Sequence, residues 1–306
     1  MPTSTHDTGR HHQPECKEGT KPQPENWAGQ LRLNIAQRQG TSYAASQYHE
    51  GALRILRPHY LDKSGQVNYT IINPGGAYFG ADRYLLDLTI QDQASLVLTT
   101  QSATKIYKTP QGPAYQQLTA KLGEGAVLEY VPDQLILYRQ GAYRQSSSID
   151  MDPTASLALT EIITPGWAPD GSSFGYEELW MRTEVRVTGP AGPKRLAVDQ
   201  LRLRPSDYTD IQGIGLMEGY SHTGQLLIAD ARIDQALYER IATVAEESPT
   251  RSGVSRIGGD NTYGVKALIV RSLAQSTGEI MSLQHSIIDE IRALWRGQGP
   301  LDLRKY

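Results

Sequence analysis

Asp92-Gln-Ala94-Ser-Leu96-Val-Leu98 is echoed twice further along the chain, by Glu124-Gly-Ala126-Val-Leu128-Glu-Tyr130 and by Asp152-Pro-Thr-Ala155-Ser-Leu157-Ala-Leu159. In each stretch an acidic turn residue precedes an alanine, and alternate apolar residues follow. The alanines lie 32 and 29 residues apart. Alternation with period two marks a half-buried strand, because successive side chains point to opposite faces. Its recurrence at a near-constant spacing suggests similar strand pairs laid on one another, in a solenoid-like stack or a layered sandwich, although an ordinary β meander produces such echoes too.

The alternation continues on both sides of the repeat. Leu31 and Leu33, Ala52 to Leu56, Val67 to Ile72, and Leu86, Leu88 and Ile90 form further short runs. Turn signals divide them: Asp62-Lys-Ser-Gly65, Asn73-Pro-Gly-Gly76 and Pro110-Gln-Gly-Pro113. The 29 glycines and 17 prolines suit frequent turns, and 17 tyrosines against 2 phenylalanines suit half-buried strands. These features predict a mainly β protein of stacked, helix-like or solenoid-like strands over residues 27–224.

Residues 225–306 read as mixed α/β. Gln225 to Ala229 predicts a strand, and Ile233, Leu237, Ile241 and Val244 recur at helical spacing before Ser248-Pro249. Val254 to Ile257 and Val265 to Val270 form a strand pair across a Gly-Gly-Asp-Asn turn. Ser276 and Glu279 then match a capping box for a second amphipathic helix, whose apolar stripe comprises Ile280, Leu283, Ile287, Ile291 and Leu294.

Residues 1–26 contain four prolines and no Val, Ile, Leu, Phe or Tyr, so they cannot bury enough apolar surface to offset their ordering entropy. They are expected to be a disordered tail. Its His6, His11 and His12 lack the fixed geometry of a metal site. Lys plus Arg number 30 and Asp plus Glu 33, a formal charge of -3 that gives no bulk attraction for nucleic acid or an anionic membrane. The single cysteine, Cys16, excludes a disulfide framework. With no apolar run long enough to span a bilayer and no signal-peptide core, a soluble cytoplasmic protein is expected.

Two strings resemble catalytic motifs. Ser102-Ala-Thr-Lys105 matches S-x-x-K, but that chemistry needs the lysine one helical turn from the serine, whereas this segment follows a strand ending at Thr99-Thr100, and no K-T-G or S-D-N partner is present. Gly171-Ser-Ser173-Phe-Gly175 matches the nucleophile elbow, but Pro165, Pro169 and Asp170 place it in a loop. Three carboxylates carry more information, because they interrupt apolar surroundings: Asp82 after a glycine-rich turn, Glu161 within Leu157 to Ile163, and Glu184 within Leu179 to Val187. A buried carboxylate is costly unless it is paired, hydrogen-bonded, metal-bound or facing internal water. Asp82 with Arg83, and Glu184 with Arg182 or Arg186, are the ordinary pairings.

Three blocks carry a family resemblance: Arg57-Pro-His-Tyr60, Asn73-Pro-Gly-Gly-Ala-Tyr-Phe-Gly-Ala-Asp82-Arg83, and Thr99-Thr100-Gln-Ser-Ala-Thr104-Lys105-Ile-Tyr107-Lys108. They resemble the R-P-[FY]-Y, G-G-x-x-x-G-D and T-T-P-x-A-T-K-x-Y-R signatures of the urease accessory protein family UreD, called UreH in some systems. Leu128-Glu-Tyr-Val-Pro132, Gly264 to Leu273 and Ile291-Arg-Ala-Leu-Trp295 follow in register, so the resemblance covers about residues 29 to 296. Gly-Ala-Asp replaces the usual Gly-Gly-Asp, Gln101 replaces a proline, and Asp302-Leu-Arg-Lys-Tyr306 only faintly echoes the family's closing P-R-x-W.

The resemblance implies a non-enzymatic assembly factor with a largely β, helix-like fold and a pair of helices. Such proteins bind the urease apoprotein and recruit UreF, which docks UreG, the GTPase that delivers nickel. It also implies an internal water-filled tunnel, with Asp82, Glu161 and Glu184 at acidic positions along it. Weak, water-mediated Ni²⁺ binding there, rather than a tightly bound cofactor, suits a conduit. The candidate contact surfaces are Thr100, Thr104, Lys105 and Tyr107 in one block, and Ile287, Ile291 and Trp295 on the last helix. The block also reads as a structural turn. The rival expectation is a solenoid-like β enzyme acting on a polysaccharide, with Asp82 and Glu161 as acid and base about 5 to 10 Å apart in an open cleft.

Overall fold

The computed structural model describes residues 27–258 and 262–303. The expected disordered tail with its three histidines, and most of the Gly-Gly-Asp-Asn turn, lie outside that range. The repeat is real and spatial. Each echo begins with the same tight turn, closed by Ala94 N donating to Gln91 O, Ala126 N to Gly123 O and Ala155 N to Asp152 O, at 3.0, 3.1 and 3.0 Å. The third acid, Asp152, sits one turn position earlier than Asp92 and Glu124. Consecutive turns also bond to one another, because Glu124 N donates to Asp92 Oδ1 at 2.9 Å and Gly125 N to Thr154 Oγ1 at 2.8 Å. Gly123 is needed at this contact, since a Cβ there would collide with Asp92.

Around these turns the chain winds in coils. A hairpin of β1 (Gly29–Arg38) and β2 (Thr41–Gly51) leads through β3 (Arg54–Ile55) to β4 (Val67–Ile72). The first coil comprises β5 (Arg83–Ile90), β6 (Ser95–Thr100) and the short β7 (Thr104–Ile106). The next comprises β8 (Ala114–Leu122), β9 (Val127–Val131) and β10 (Leu135–Leu137), and the third begins with β11 (Ala142–Met151) and β12 (Ser156–Ile163). A long hairpin, β13 (Glu178–Gly189) and β14 (Gly192–Leu203), precedes β15 (His222–Asp230), α1 (Gln235–Glu247), β16 (Arg251–Ile257), β17 (Lys266–Ala274) and α2 (Thr277–Arg296).

Like strands of successive coils pair in parallel, giving two sheets ordered β14-β13-β11-β8-β5-β1-β2 and β16-β17-β15-β12-β9-β6-β4-β3. A third, narrow side is built from β7 and β10, extended by single bridges Tyr78–Ile106 and Tyr138–Trp167. Parallel pairing in register puts equivalent side chains in rows, and the differences in coil length are taken up between the paired strands. Leu88, Ala120, Ile149 and Val185 form one row across the first sheet, and Val67, Leu96, Leu128 and Leu157 one across the second. These rows face each other as the main core.

The second sheet is buried on both faces, so its strands read as continuous apolar runs rather than alternations. Its outer side chains, among them Val97, Ala158, Ile228 and Leu268, pack against α1 and α2. The capping box forms as expected: Ser276 Oγ accepts from Glu279 N at 3.3 Å and Glu279 Oε2 accepts from Ser276 N at 3.1 Å. The predicted stripe needs one correction. Ile280, Leu283, Ile287 and Ile291 are buried, but Leu294 is 52% exposed, and Ile288 and Arg292 take the inward positions near the helix end. Among the described residues no helix is long and apolar enough to cross a membrane.

Leu128 lies at the centre of its row with no exposed surface. Leu128→Ala is expected to lower the unfolding free energy by about 2–5 kcal/mol in urea denaturation, with an unchanged slope against denaturant.

Candidate functional site

The coil rows change character towards the end of the stack that carries the third side. In the first sheet Tyr84, Gln116 and Gln145 occupy one register on β5, β8 and β11, and all three point between the sheets. Asp82 precedes β5 and accepts from Phe79 N at 2.8 Å and from Tyr84 Oη at 3.0 Å. The Tyr84 ring stacks on Tyr78, centroids 3.6 Å apart. Tyr78 Oη donates to Gln116 Oε1 at 2.8 Å, and Gln116 Nε2 to Gln145 Oε1 at 3.4 Å. Gln145 Nε2 then donates to Glu161 Oε1 at 2.9 Å. Asp82 and Glu161 are thus the two ends of one polar seam through the interior.

Glu161 projects inward from β12 into a cavity of about 30 Å³, whose lining includes Thr104, Gln116, Tyr130, Asp133 and Tyr143. That volume holds roughly one or two waters. Burial pushes the Glu161 carboxyl up to about 8, with the nearby Asp199 carboxylate adding to the shift and the Gln145 amide opposing it. Burial also raises the Tyr78, Tyr84, Tyr130 and Tyr143 hydroxyls, which therefore stay neutral donors. Two further cavities adjoin: one of about 50 Å³ shares Thr104 and is lined by Thr100, Lys105 and Tyr78, and one of about 480 Å³ under α2 shares Asp133 and Ile162. Gln284, buried on α2, donates to the Glu161 carbonyl at 3.1 Å and to the Gln225 carbonyl at 3.0 Å, fixing helix to strand beside the carboxyl.

Glu184 does not join this seam. It lies on the outer face of β13, opposite in direction to Thr183 and Val185, and forms ion pairs with Arg182 at 2.6 Å and Arg195 at 3.1 Å. Those guanidiniums hold it below the usual carboxylate range, although burial opposes the shift. Its expected place on an internal path is therefore corrected to an outer-face ion pair. Asp82 does not pair with Arg83 either, because Arg83 lies over the rings of Trp27 and Tyr115. Among the described residues no three His, Cys, Asp or Glu side chains form a group able to hold a metal ion.

The contact candidates divide in the same way. Thr100 Oγ1 accepts from Asp133 N at 2.9 Å, and Thr104 N donates to Gln134 O, so both also brace the coil. Lys105 is half-buried and Tyr107 is exposed, on the third side of the stack. Ile287 and Ile291 are corrected: both are buried against α1 and the second sheet and offer no free surface. Trp295 is half-buried, with the Arg232 guanidinium 4.6 Å from its ring. A polysaccharide-cleaving pair is not supported, since Asp82 does not line the cavity that Glu161 enters and four side chains separate the two. The residues missed from sequence, Gln116, Gln145 and Asp199, are polar positions inside strand runs. Each falls in the inward phase of its strand, two residues from Leu118 or four from Ile149 or Leu203, which was the available signal.

Folded Glu161 holds a proton that an unfolded glutamate releases between about pH 4.5 and about pH 8. Its contribution is present in full below the lower value and is lost as pH rises through the upper one. Urea unfolding of the wild type should therefore weaken across this window, and Glu161→Gln should flatten that dependence.

Comparison with known proteins gives a uniform result. The family model described as UreD urease accessory protein matches residues 28–305. A protein of Kocuria rhizophila named urease accessory protein UreD is 53% identical, covering 92% of this chain and 90% of its own length. Proteins of the same name from Arthrobacter sp. strain FB24 and Corynebacterium glutamicum strain R are 51% and 42% identical, covering 91% and 94% of this chain and 94% and 100% of their own lengths.

Proposed function

This chain belongs to the UreD urease accessory protein family, and on that premise we propose that it is the scaffold on which apo-urease meets UreF, and through UreF the GTPase UreG, in the cytoplasm. Its role lies in urease maturation, and its relatives are named as accessory proteins rather than catalysts. Nickel is the cargo. The observation that carries the proposal is the seam from Asp82 to Glu161, which gives the interior polar groups and small cavities where a stacked β core is otherwise apolar.

The chemistry suits passage rather than storage. A carboxyl that titrates near 8 takes up a divalent cation only by releasing its proton, so its grip is weak near neutral pH. Neutral amides and tyrosine oxygens lend further weak hard-donor positions. Asp133 and Asp199 approach Glu161, but among the described residues no three such side chains converge into a group able to hold a metal ion, which leaves no deep well along the way. Thr104 supports the route as a lining residue shared by two adjoining cavities.

Urease made in cells with the complete accessory set, but lacking this chain, should assemble without nickel and without activity. Asp82→Asn and Glu161→Gln, each expressed at the wild-type level, should reduce nickel per urease active site severalfold, whereas Glu184→Gln should not. Full nickel loading without the chain would contradict the maturation role. Full loading with both seam variants would contradict only the route.

A further inference from the structure

The third side of the stack carries a feature the route does not use. One aromatic residue per coil stands in line there: Phe79, Tyr107, Tyr138 and Trp167. Successive ring centroids are 5.5, 4.6 and 4.8 Å apart, so the strip is about as long as five residues of extended chain. Phe79 is 48% exposed, Tyr107 37% and Trp167 50%, and Tyr138 is half-buried between its neighbours. Aromatic side chains standing together on a surface are unusual for a protein that meets only water, and they are typical anchors of protein interfaces.

The ring geometry narrows the occupant. Adjacent planes meet at 89°, 62° and 42°, so the first two contacts are edge to face and the third is tilted, which leaves notches between the rings. A sugar or a nucleobase needs an open ring face to stack on, which this packing does not offer as a continuous platform. Proline or aliphatic side chains of an extended peptide fit notches of this kind. Charge narrows it further. Lys105 and Lys108 flank Tyr107, and neither forms an ion pair or a side-chain hydrogen bond among the described residues. The nearby Arg139 is already committed to Asp170 and Ser172. The uncompensated charge around Tyr107 is positive, while the Asp82 carboxylate at the Phe79 end is turned to the Tyr84 hydroxyl.

Building on the maturation reading, we propose that this strip is the seat of an extended, acidic segment of the urease apoprotein, its apolar side chains between the rings and its carboxylates on Lys105 and Lys108. The strip begins at Phe79, whose backbone N–H holds Asp82. The docked segment therefore lies at the Asp82 end of the seam, where the cargo and its recipient would have to meet.

The test is the binding of purified apo-urease to the immobilised full chain: wild type, Lys105→Glu/Lys108→Glu, and Trp167→Ala. Melting temperatures serve as the check on folding. Both variants should melt near the wild-type temperature and bind apo-urease at least about tenfold more weakly, and raised salt should weaken the wild type but not the charge reversal. Wild-type binding with unaltered variant affinity would overturn the strip while leaving the maturation role intact. Absence of wild-type binding would count against the scaffold itself. Loss of UreF binding alone in the variants would also overturn the proposal, by assigning the strip to the other partner.

Discussion

Parallel register between coils of unequal length is the constraint on which the rest of this molecule depends. Parallel strands of successive coils must keep one register, because a slip of one residue would turn every inward side chain outward. The identical turns at Ala94, Ala126 and Ala155 hold that register, and bonds between neighbouring turns tie each coil to the next. Once register holds, like residues collect in rows. Leucines and isoleucines become the core, Tyr84, Gln116 and Gln145 become a polar seam, and Phe79, Tyr107, Tyr138 and Trp167 become an outer aromatic strip.

A second set of interactions closes the helices onto the stack. Glu129 on β9 is buried and accepts from both Arg292 and Arg296 at the end of α2, while Arg292 also donates to Gln66 at 2.7 Å and to Gly299 O at 3.1 Å. Asp62 adds its charge at 3.3 Å. Two carboxylates and two guanidiniums balance within one largely water-free cluster, and removing one member would strand a buried charge. Such clusters add little net stability over apolar packing, but they fix where a helix sits. Here α2 is also held at its middle by Gln284, so the strand bearing Glu161 is braced from behind.

Much of this was legible in the chain. The repeat, the alternation, the capping box at Ser276 and Glu279, and the family blocks each rest on local pattern, and local pattern survived folding. What was hidden depends on distance or direction. Arg292 and Glu129 are 163 positions apart, and nothing at either position advertises the other. Glu184 and Glu161 both interrupt apolar strand runs, yet one points outward and the other inward. Only the sheet order, with β12 covered on both faces and β13 on one, tells them apart. Ile287 and Ile291 look like a free stripe until α1 and the second sheet occupy it. The third side is legible only through the Thr99 to Lys108 block, because three-residue strands carry too little periodicity to register.

The central claim is that the seam from Asp82 to Glu161 is a working passage and not merely a satisfied interior. Gln116 sits at its middle, bears no charge, and touches both Tyr78 and Gln145. Gln116→Leu interrupts the seam with a side chain of similar size, at a cost of about 1–3 kcal/mol for the hydroxyl left without its acceptor. The direct measurement is nickel per active site in urease matured alongside this variant, with complex formation and variant abundance checked in the same cells. A marked drop in nickel, with the complex intact, is the predicted result. Full nickel in urease matured by an intact Gln116→Leu chain would contradict the account.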